Sequence, residues 1–207
     1  MREIDMDYEI PKHIMQLAEI CQYEVVHSRQ VTRLALRLFD ELQSLHHLGE
    51  NERFWLHAAS ILHDIGWIEG QKGHHKRALR IIMKTPVLQF DNRERLIVGS
   101  IARYHRKALP KEKHSHFAAL KISERDIVEK LSAILRVADG LDRTHRNCVH
   151  DLSCEVTPEF ILIRCAVDNP AEVERQTALK KGRLLRMIFG RDLFIEWQKS
   201  TCHKKSI

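Results

Sequence analysis

Aromatic residues are scarce in this sequence: Phe, Trp and Tyr make up 6% of its 207 residues, whereas hydrophobic residues of all kinds make up 43%. Aliphatic side chains must therefore form most of the core. No stretch approaches the roughly 20 apolar residues that a membrane-spanning helix needs. The first ten residues, MREIDMDYEI, carry acidic groups and no apolar segment, so we expect neither a secretory signal nor a membrane span.

The sequence also lacks a CxxC pair, an internal repeat and a glycine-rich phosphate loop. Its five cysteines form no paired motif, and this is typical of reduced thiols in a cytoplasmic protein. The excess of 34 Lys and Arg over 28 Asp and Glu suits an anionic ligand. The basic segment KALPKEKHSH has no interleaved aromatic residues, so nucleic acid is not an expected partner.

Residues 24–146 have a helical pattern. In EVVHSRQVTRLALRLFDELQSL, the apolar residues recur at steps of three and four, as on one face of a helix: Val31, Leu34, Leu38, Leu42 and Leu45. Further helices are predicted in NERFWLHAASILHDIG, in a segment starting near His74, and in DNRERLIVGSIARYHRKA. A last one is predicted to begin at Ser123, with Asp126 completing a capping box.

The pattern changes after residue 150. The runs LSCEV and FILIRCAV, separated by Thr157-Pro158, predict a hairpin, and Asn169-Pro170 predicts a helix that ends at Gly190 before a strand in DLFIEW. We therefore predict a mostly α protein, with a helical bundle at 1–150 and a small β-β-α-β lobe at 151–207. This lobe is expected to supply no metal ligand, with His203 exposed or disordered.

One group of polar residues is expected to face the core of the bundle. His63 and Asp64 follow the apolar run AASIL, and His27 lies four residues before Val31 on the inward stripe. Asp139 lies four residues after Leu135 on another inward stripe. The sequence contains 14 histidines, so further imidazole ligands are available. A buried carboxylate is costly unless it is paired or binds a metal, so these four residues predict a divalent cation site.

The order H…HD…D on successive helices resembles the HD superfamily of metal-dependent phosphohydrolases. The phrases HSRQVTRLALRLFDEL, LHDIGW, GHHKRAL, ARYHRKALPK and LRVADGLDRTHR are similar to the C-terminal HD region of the exopolyphosphatase/guanosine pentaphosphatase (Ppx/GppA) family. The resemblance runs from about residue 24 to the end of the chain. It implies an HD-type helical bundle.

The resemblance also implies a ligand set. A first metal would be bound by His27, His63, Asp64 and Asp139. Versions with two metals add histidines from intervening helices, for which the candidates are His105 and either His74 or His75. Adjacent residues on a helix point about 100° apart, so only one of the last two is expected to reach the site, and His75 is preferred.

Catalysis is assigned on the same basis to Asp64, His105 and Arg143, which lies four residues after Asp139. Phosphate binding is assigned to Arg143 and three neighbouring cations: Lys76, Arg106 and Lys107. The implied reaction is hydrolysis of a phosphomonoester or phosphodiester in a small, nucleotide-like phosphorylated substrate. The implied cofactor is one or two divalent ions from the set Mn, Mg, Fe, Co, Ni and Zn.

A second hypothesis stays open, in which the chain is a non-catalytic metal-containing module that binds a phosphorylated ligand or a partner protein. Nothing in this sequence resembles the actin-like domain in which family members hydrolyse polyphosphate, so that activity is not implied here. Arg77 stands where the family often has a further histidine. A homodimer is compatible with the sequence, and a membrane partner is not expected.

Overall fold

The computed structural model describes residues 10–199, which form a helical bundle and a small sheet. The helices are α1 (Lys12–Ile20), α2 (Val25–Glu41), α3 (Gln43–His46), α4 (Glu50–Leu62), α5 (His74–Lys84), α6 (Asn92–Tyr104), α7 (Ser115–Ala118), α8 (Ile122–Gly140), α9 (Glu172–Lys181) and α10 (Arg183–Phe189). A 3-10 helix spans Ile65–Glu69, and the strands are β1 (Val149–Val156), β2 (Phe160–Val167) and β3 (Asp192–Lys199). The predicted mostly helical fold with a β-β-α-β lobe is confirmed. Two helices, α9 and α10, lie between β2 and β3, where the sequence predicted one. His203 lies outside the described residues.

The inward stripe of α2 lies in the core. Val31, Leu34, Leu38 and Leu42 are each 0% exposed, as the steps of three and four predict. The helix ends at Glu41, because Leu42 has φ −99° and ψ 12°, and the short helix α3 follows at once. The predicted single helix through Leu45 is therefore two helices.

The start of α8 differs from its prediction. The helix begins at Ile122, and the backbone N–H of Lys121 donates to the Glu124 carboxylate at 2.9 Å. The predicted capping pair of Ser123 and Asp126 is wrong by two residues. Glu124 is also bound by Arg93 of α6, a tertiary contact that periodicity in the sequence does not indicate.

The C-terminal lobe packs directly on the bundle. β1 pairs antiparallel with β2, and β2 pairs parallel with β3, which the chain reaches through α9 and α10. The Gln30 side-chain amide on α2 donates to the carbonyl of Val149 at 2.6 Å. A Cβ atom on Gly140 would lie 2.6 Å from the Cα of Ala178, so glycine is required where α8 meets α9. One hydrophobic core extends across the bundle and the lobe, and the boundary near residue 150 stays a prediction.

No helix within residues 10–199 is long and apolar enough to cross a membrane.

Candidate metal centre

The segment after α4 brings the HD pair close to α5. His63 follows the last residue of α4 and is 0% exposed, and Asp64 precedes the 3-10 helix. A Cβ atom on Gly66 would lie 2.1 Å from the carbonyl oxygen of His74. Only glycine at this position lets the first turn of α5 approach so closely, and this approach places His74 beside Asp64.

Three buried imidazoles are held in the same way. The Nδ1 atom lies near the backbone oxygen three residues earlier in the chain, at 2.7 Å for His63, 2.7 Å for His105 and 2.9 Å for His74. A carbonyl oxygen can only accept, so each Nδ1 carries the proton. In the neutral ring, Nε2 then presents a lone pair, which is the state that a metal-binding histidine requires.

His27 is held by a carboxylate. Its Nδ1 donates to Asp142 Oδ2 at 2.8 Å, and Asp142, which is 1% exposed, also accepts from the backbone N–H of Asn147 at 2.9 Å. The ring of His145 stacks on His27 with 3.8 Å between centroids and 3° between planes. Asp142 and His145 were not predicted as site residues, although both lie in the quoted phrase LRVADGLDRTHR.

The Nε2 atoms converge on two carboxylates, and Nε2 of His74 also lies 3.2 Å from Arg106 Nη1. Asp64 Oδ1 lies 3.0 Å from His74 Nε2 and 3.4 Å from His105 Nε2, and Asp64 Oδ2 lies 3.5 Å from His63 Nε2. His27 Nε2 lies 3.7 Å from Asp139 Oδ1. Ligands of one transition-metal ion, each about 2.0–2.2 Å from it, have similar separations.

Several of these atoms have no hydrogen-bond partner. They are buried and include His27 Nε2, His63 Nε2 and Asp64 Oδ1. Buried polar atoms without partners are costly, and two imidazole lone pairs beside a carboxylate would repel one another without a cation. The donor set therefore fits a divalent ion with mixed nitrogen and oxygen ligands.

The potential ligand atoms form two overlapping groups, each lying within 4.8 Å. One group contains His27, His63 and Asp64, and the other contains Asp64, His74 and His105. Asp64 belongs to both groups, with Oδ2 near His63 and Oδ1 near His74 and His105. Within residues 10–199, both groups consist of residues from the bundle.

The protonation states of His63, His105 and Asp64 suit metal binding, whereas His27 differs: burial lowers its pKa, but the hydrogen bond to Asp142 and the nearby carboxylates outweigh burial and raise the pKa above its usual value. Burial lowers the pKa of His63 and drives the pKa of His105 well below its usual range, so both rings are neutral near pH 7. Burial alone would raise the pKa of Asp64, but the surrounding imidazoles, His63 first, hold it well below the usual value. Neutral imidazoles around ionised carboxylates are the ligand forms that metals take.

The structure separates His74 from the preferred candidate His75. Nε2 of His74 is 3.0 Å from Asp64, whereas His75 belongs to neither ligand group and its buried Nδ1 has no partner. The two rings are 5.6 Å apart at 84°, as expected for neighbours on a helix. The geometry thus favours His74, because α5 begins at this residue and presents it to the 3-10 helix.

A cavity of about 210 Å³ opens onto the carboxylates. Of the predicted phosphate-binding residues, Arg106 and Arg143 line it, whereas Lys76 and Lys107 are exposed and are not among its lining residues. Its other lining residues are His27, Asp64, Trp67, Gln71, His105, Asp139, His145 and Lys181. Arg77 lies off the cavity and donates to the backbone oxygens of Gly66 and Lys72, so it holds the loop before α5.

Lys181 was missed by the sequence analysis. It is the last residue of α9, and its Nζ contacts Asp139 Oδ2. Burial opposes the charge on Asp139, but Lys181 and the nearby histidines hold the pKa of this carboxyl far below its usual range. No periodicity or motif in the sequence connects two residues 42 positions apart in different parts of the chain.

A comparison with family models shows the family to which the chain belongs. The model for Ppx/GppA phosphatase, domain III, matches residues 12–184. The chain belongs to this family. The match covers both ligand groups and Lys181, and β3 lies beyond it. A comparison with curated proteins found no match.

Membership in the Ppx/GppA family places the chain among phosphatases at the level of the family. The matched model is that of domain III, and the reaction, substrate and metal of this chain are matters for proposal.

Proposed function

We propose that this chain is a metal-dependent phosphohydrolase of the HD type that cleaves a phosphomonoester or phosphodiester of a nucleotide-like small molecule. The observation that carries the proposal is the convergence of imidazoles on Asp64, with each Nδ1 occupied and the Nε2 lone pairs directed at a carboxylate. Arg106 and Arg143 stand at the same cavity, where phosphate oxygens need donors.

In this proposal, His27, His63, Asp64 and Asp139 would hold one ion, and His74 and His105 would hold a second one together with Asp64. A divalent ion in such a site lowers the pKa of bound water and polarises a phosphate oxygen. Asp64 orients the site because its two oxygens face different histidines. Arg143 and Arg106 bind the phosphate oxygens and offset the charge that grows on them during the reaction.

The proposed nucleotide-like substrate draws support from Trp67. Its indole lines the cavity, is 43% exposed and stacks on His74 with ring centroids 5.1 Å apart. A nucleobase can stack on an exposed aromatic surface of this kind. We expect Trp67→Ala to raise KM for nucleotides and to leave KM for p-nitrophenyl phosphate nearly unchanged.

Two experiments test the proposal. Elemental analysis of protein that has never been exposed to nickel resin should find a divalent transition metal, since imidazole-rich sites prefer these ions to Mg²⁺ or Ca²⁺. A screen of phosphoesters with Mn²⁺, Mg²⁺, Co²⁺ and Ni²⁺ should then find a substrate. Protein with neither metal nor metal binding on titration would refute the metal site.

The second candidate function is a non-catalytic module that keeps the metal and binds a phosphorylated ligand or partner. The family match is to a model of domain III, and that match by itself assigns no turnover to the domain. Bound metal and phosphate binding, without turnover of any phosphoester in the screen, would select this function over hydrolysis.

A further inference from the structure

The C-terminal lobe contributes one cation to the metal centre. The Lys181 side chain is 19% exposed, its Nζ contacts Asp139 Oδ2, and it lines the cavity together with Arg143 and His105. Asp139 Oδ1 is the oxygen that faces His27 Nε2, so the ammonium pairs with the other oxygen of an expected metal ligand.

The position of Lys181 is set by contacts at the end of α9. The backbone oxygen of Lys181 accepts from Arg136 Nε at 3.2 Å, and Ala178 packs against Gly140 of α8. Its backbone is thus held on α8, one turn from Asp139. The Lys181 side chain has four flexible carbons and a compact charge, so its ammonium can leave one anionic partner for another.

We infer that Lys181 is a substrate-binding residue of the metal centre: its ammonium pairs with Asp139 in the metal-free protein, and it binds a phosphate oxygen once a divalent ion takes Asp139. The inference rests on the proposed function, because it requires a metal and a phosphate in the same cavity. A divalent ion at Asp139 Oδ1 would draw on the same negative charge that holds the ammonium at Oδ2 and would repel the ammonium, which is the partner that can move.

This role predicts opposite changes in two affinities. Removing the ammonium takes away a competitor for Asp139, so metal should bind more tightly. It also removes a charge-assisted hydrogen bond to the phosphate, so phosphate should bind more weakly. A lysine that only stabilises the packing of α9 on α8 would not change the two affinities in opposite directions.

The test uses the full chain and four proteins: wild type, Lys181→Met, Lys181→Arg and Lys180→Met. Lys180 is exposed and lies in the same last turn of α9, so its variant controls for loss of a charge near the helix end. Calorimetry would measure binding of Mn²⁺ alone, and then of inorganic phosphate to the Mn²⁺-loaded protein. Melting curves without metal would check that each variant folds.

For Lys181→Met we expect Mn²⁺ to bind several-fold more tightly than in wild type. Phosphate should bind more weakly by a factor of about ten or more, as for loss of one charge-assisted hydrogen bond. Lys181→Arg should keep most of the phosphate affinity, and Lys180→Met should match wild type. Unchanged phosphate binding, or weaker binding of both ligands, in a folded Lys181→Met protein would overturn the inference.

These outcomes separate the inference from the proposed function. Opposite changes in the two affinities without turnover of any phosphoester would support the role of Lys181 and count against hydrolysis. Metal-dependent turnover in wild type, with no change of phosphate affinity in Lys181→Met, would leave hydrolysis standing and overturn the inference alone.

Discussion

Two groups of histidines lie close to the ends of helices, and only one of them suits a metal. In the metal centre, His63, His74 and His105 surround the carboxylate of Asp64. In the second group, His114 and His116 stack on each other beside Tyr104, whose hydroxyl lies 2.8 Å from His114 Nδ1.

The charged neighbour of the second group is a cation, Arg103, whereas that of the first group is the carboxylate of Asp64. Burial, and then the charge of Arg103, lowers the pKa of His116 to about 4 and that of His75 to about 3. Within residues 10–199, none of His75, His114 and His116 forms an ion pair with a carboxylate. The comparison teaches that density of histidine does not make a metal site. The candidate site differs from the second group in its shared carboxylate and its anchored Nδ1 atoms.

The largest expected effect comes from the shared carboxylate. Asp64→Asn keeps the shape of the side chain but weakens ligation of both ions, so turnover of the best phosphoester should fall by about a thousandfold or more. The metal-free fold should survive, since a buried charge is removed, and the rise in Tm on adding Mn²⁺ should shrink.

The matched control for Asp64→Asn is His114→Gln, in the second group. It should keep the turnover and the Mn²⁺-dependent rise in Tm of wild type. Turnover of Asp64→Asn equal to that of wild type would refute the catalytic role of this carboxylate.

A sharper comparison uses two adjacent residues, His74 in the candidate metal centre and His75 outside both of its ligand groups. His74→Gln should lower the amount of metal bound per chain, because Nε2 of His74 faces Asp64. His75→Gln should bind as much metal as wild type, because its ring belongs to neither ligand group. Elemental analysis after exhaustive dialysis would measure both variants. Loss of metal in His75→Gln alone would reverse the assignment drawn from the geometry.

The anchoring of His27 should have a smaller effect. Asp142→Asn weakens the hydrogen bond that orients His27, and the affinity for Mn²⁺ should fall by roughly 10- to 100-fold, as is usual for loss of such a partner. Asp168→Asn is the control, because Asp168 also pairs with a histidine, His150, but on the surface. Titration with Mn²⁺ measures both. Equal affinities in the two variants would mean that the buried pair does not position His27.

The smallest effect concerns the pH dependence of stability in the second group. The pKa of His116 is about 4 in the folded chain, against 6.5 for an unperturbed histidine, so between these values the unfolded chain binds more protons. The free energy of unfolding should therefore rise as pH increases from 4 to 6.5, and fall on acidification. Because His116 is partly exposed, we expect its share to be roughly 1–2 kcal/mol.

Urea unfolding from pH 4.5 to 7 would measure this dependence in wild type and in His116→Gln. The variant should show a shallower rise of the unfolding free energy with pH. Identical pH profiles for the two proteins would show that His116 titrates normally in the fold.

Several elements of the fold follow directly from local patterns. The spacing of Val31, Leu34 and Leu38 predicts both the helix and its buried face, since burial on a helix repeats every 3.6 residues. A helix starting near His74 was predicted as well, and α5 begins at this residue. Helix ends that depend on contacts between helices, as at Glu124, could not be predicted in this way.

By itself, the sequence determined the helical class, the β-β-α-β lobe and four residues of the candidate site, because each of these depends on spacing or on a short motif; His105 and the pair His74 and His75 were added by the family resemblance. Only the tertiary structure decided which of His74 and His75 faces Asp64, since that depends on the approach of α5 to Gly66. It also decided the partners of His27 and Asp139. Asp142 and Lys181 reach them through the packing of α8 against α2 and α9, and such packing carries no local signal.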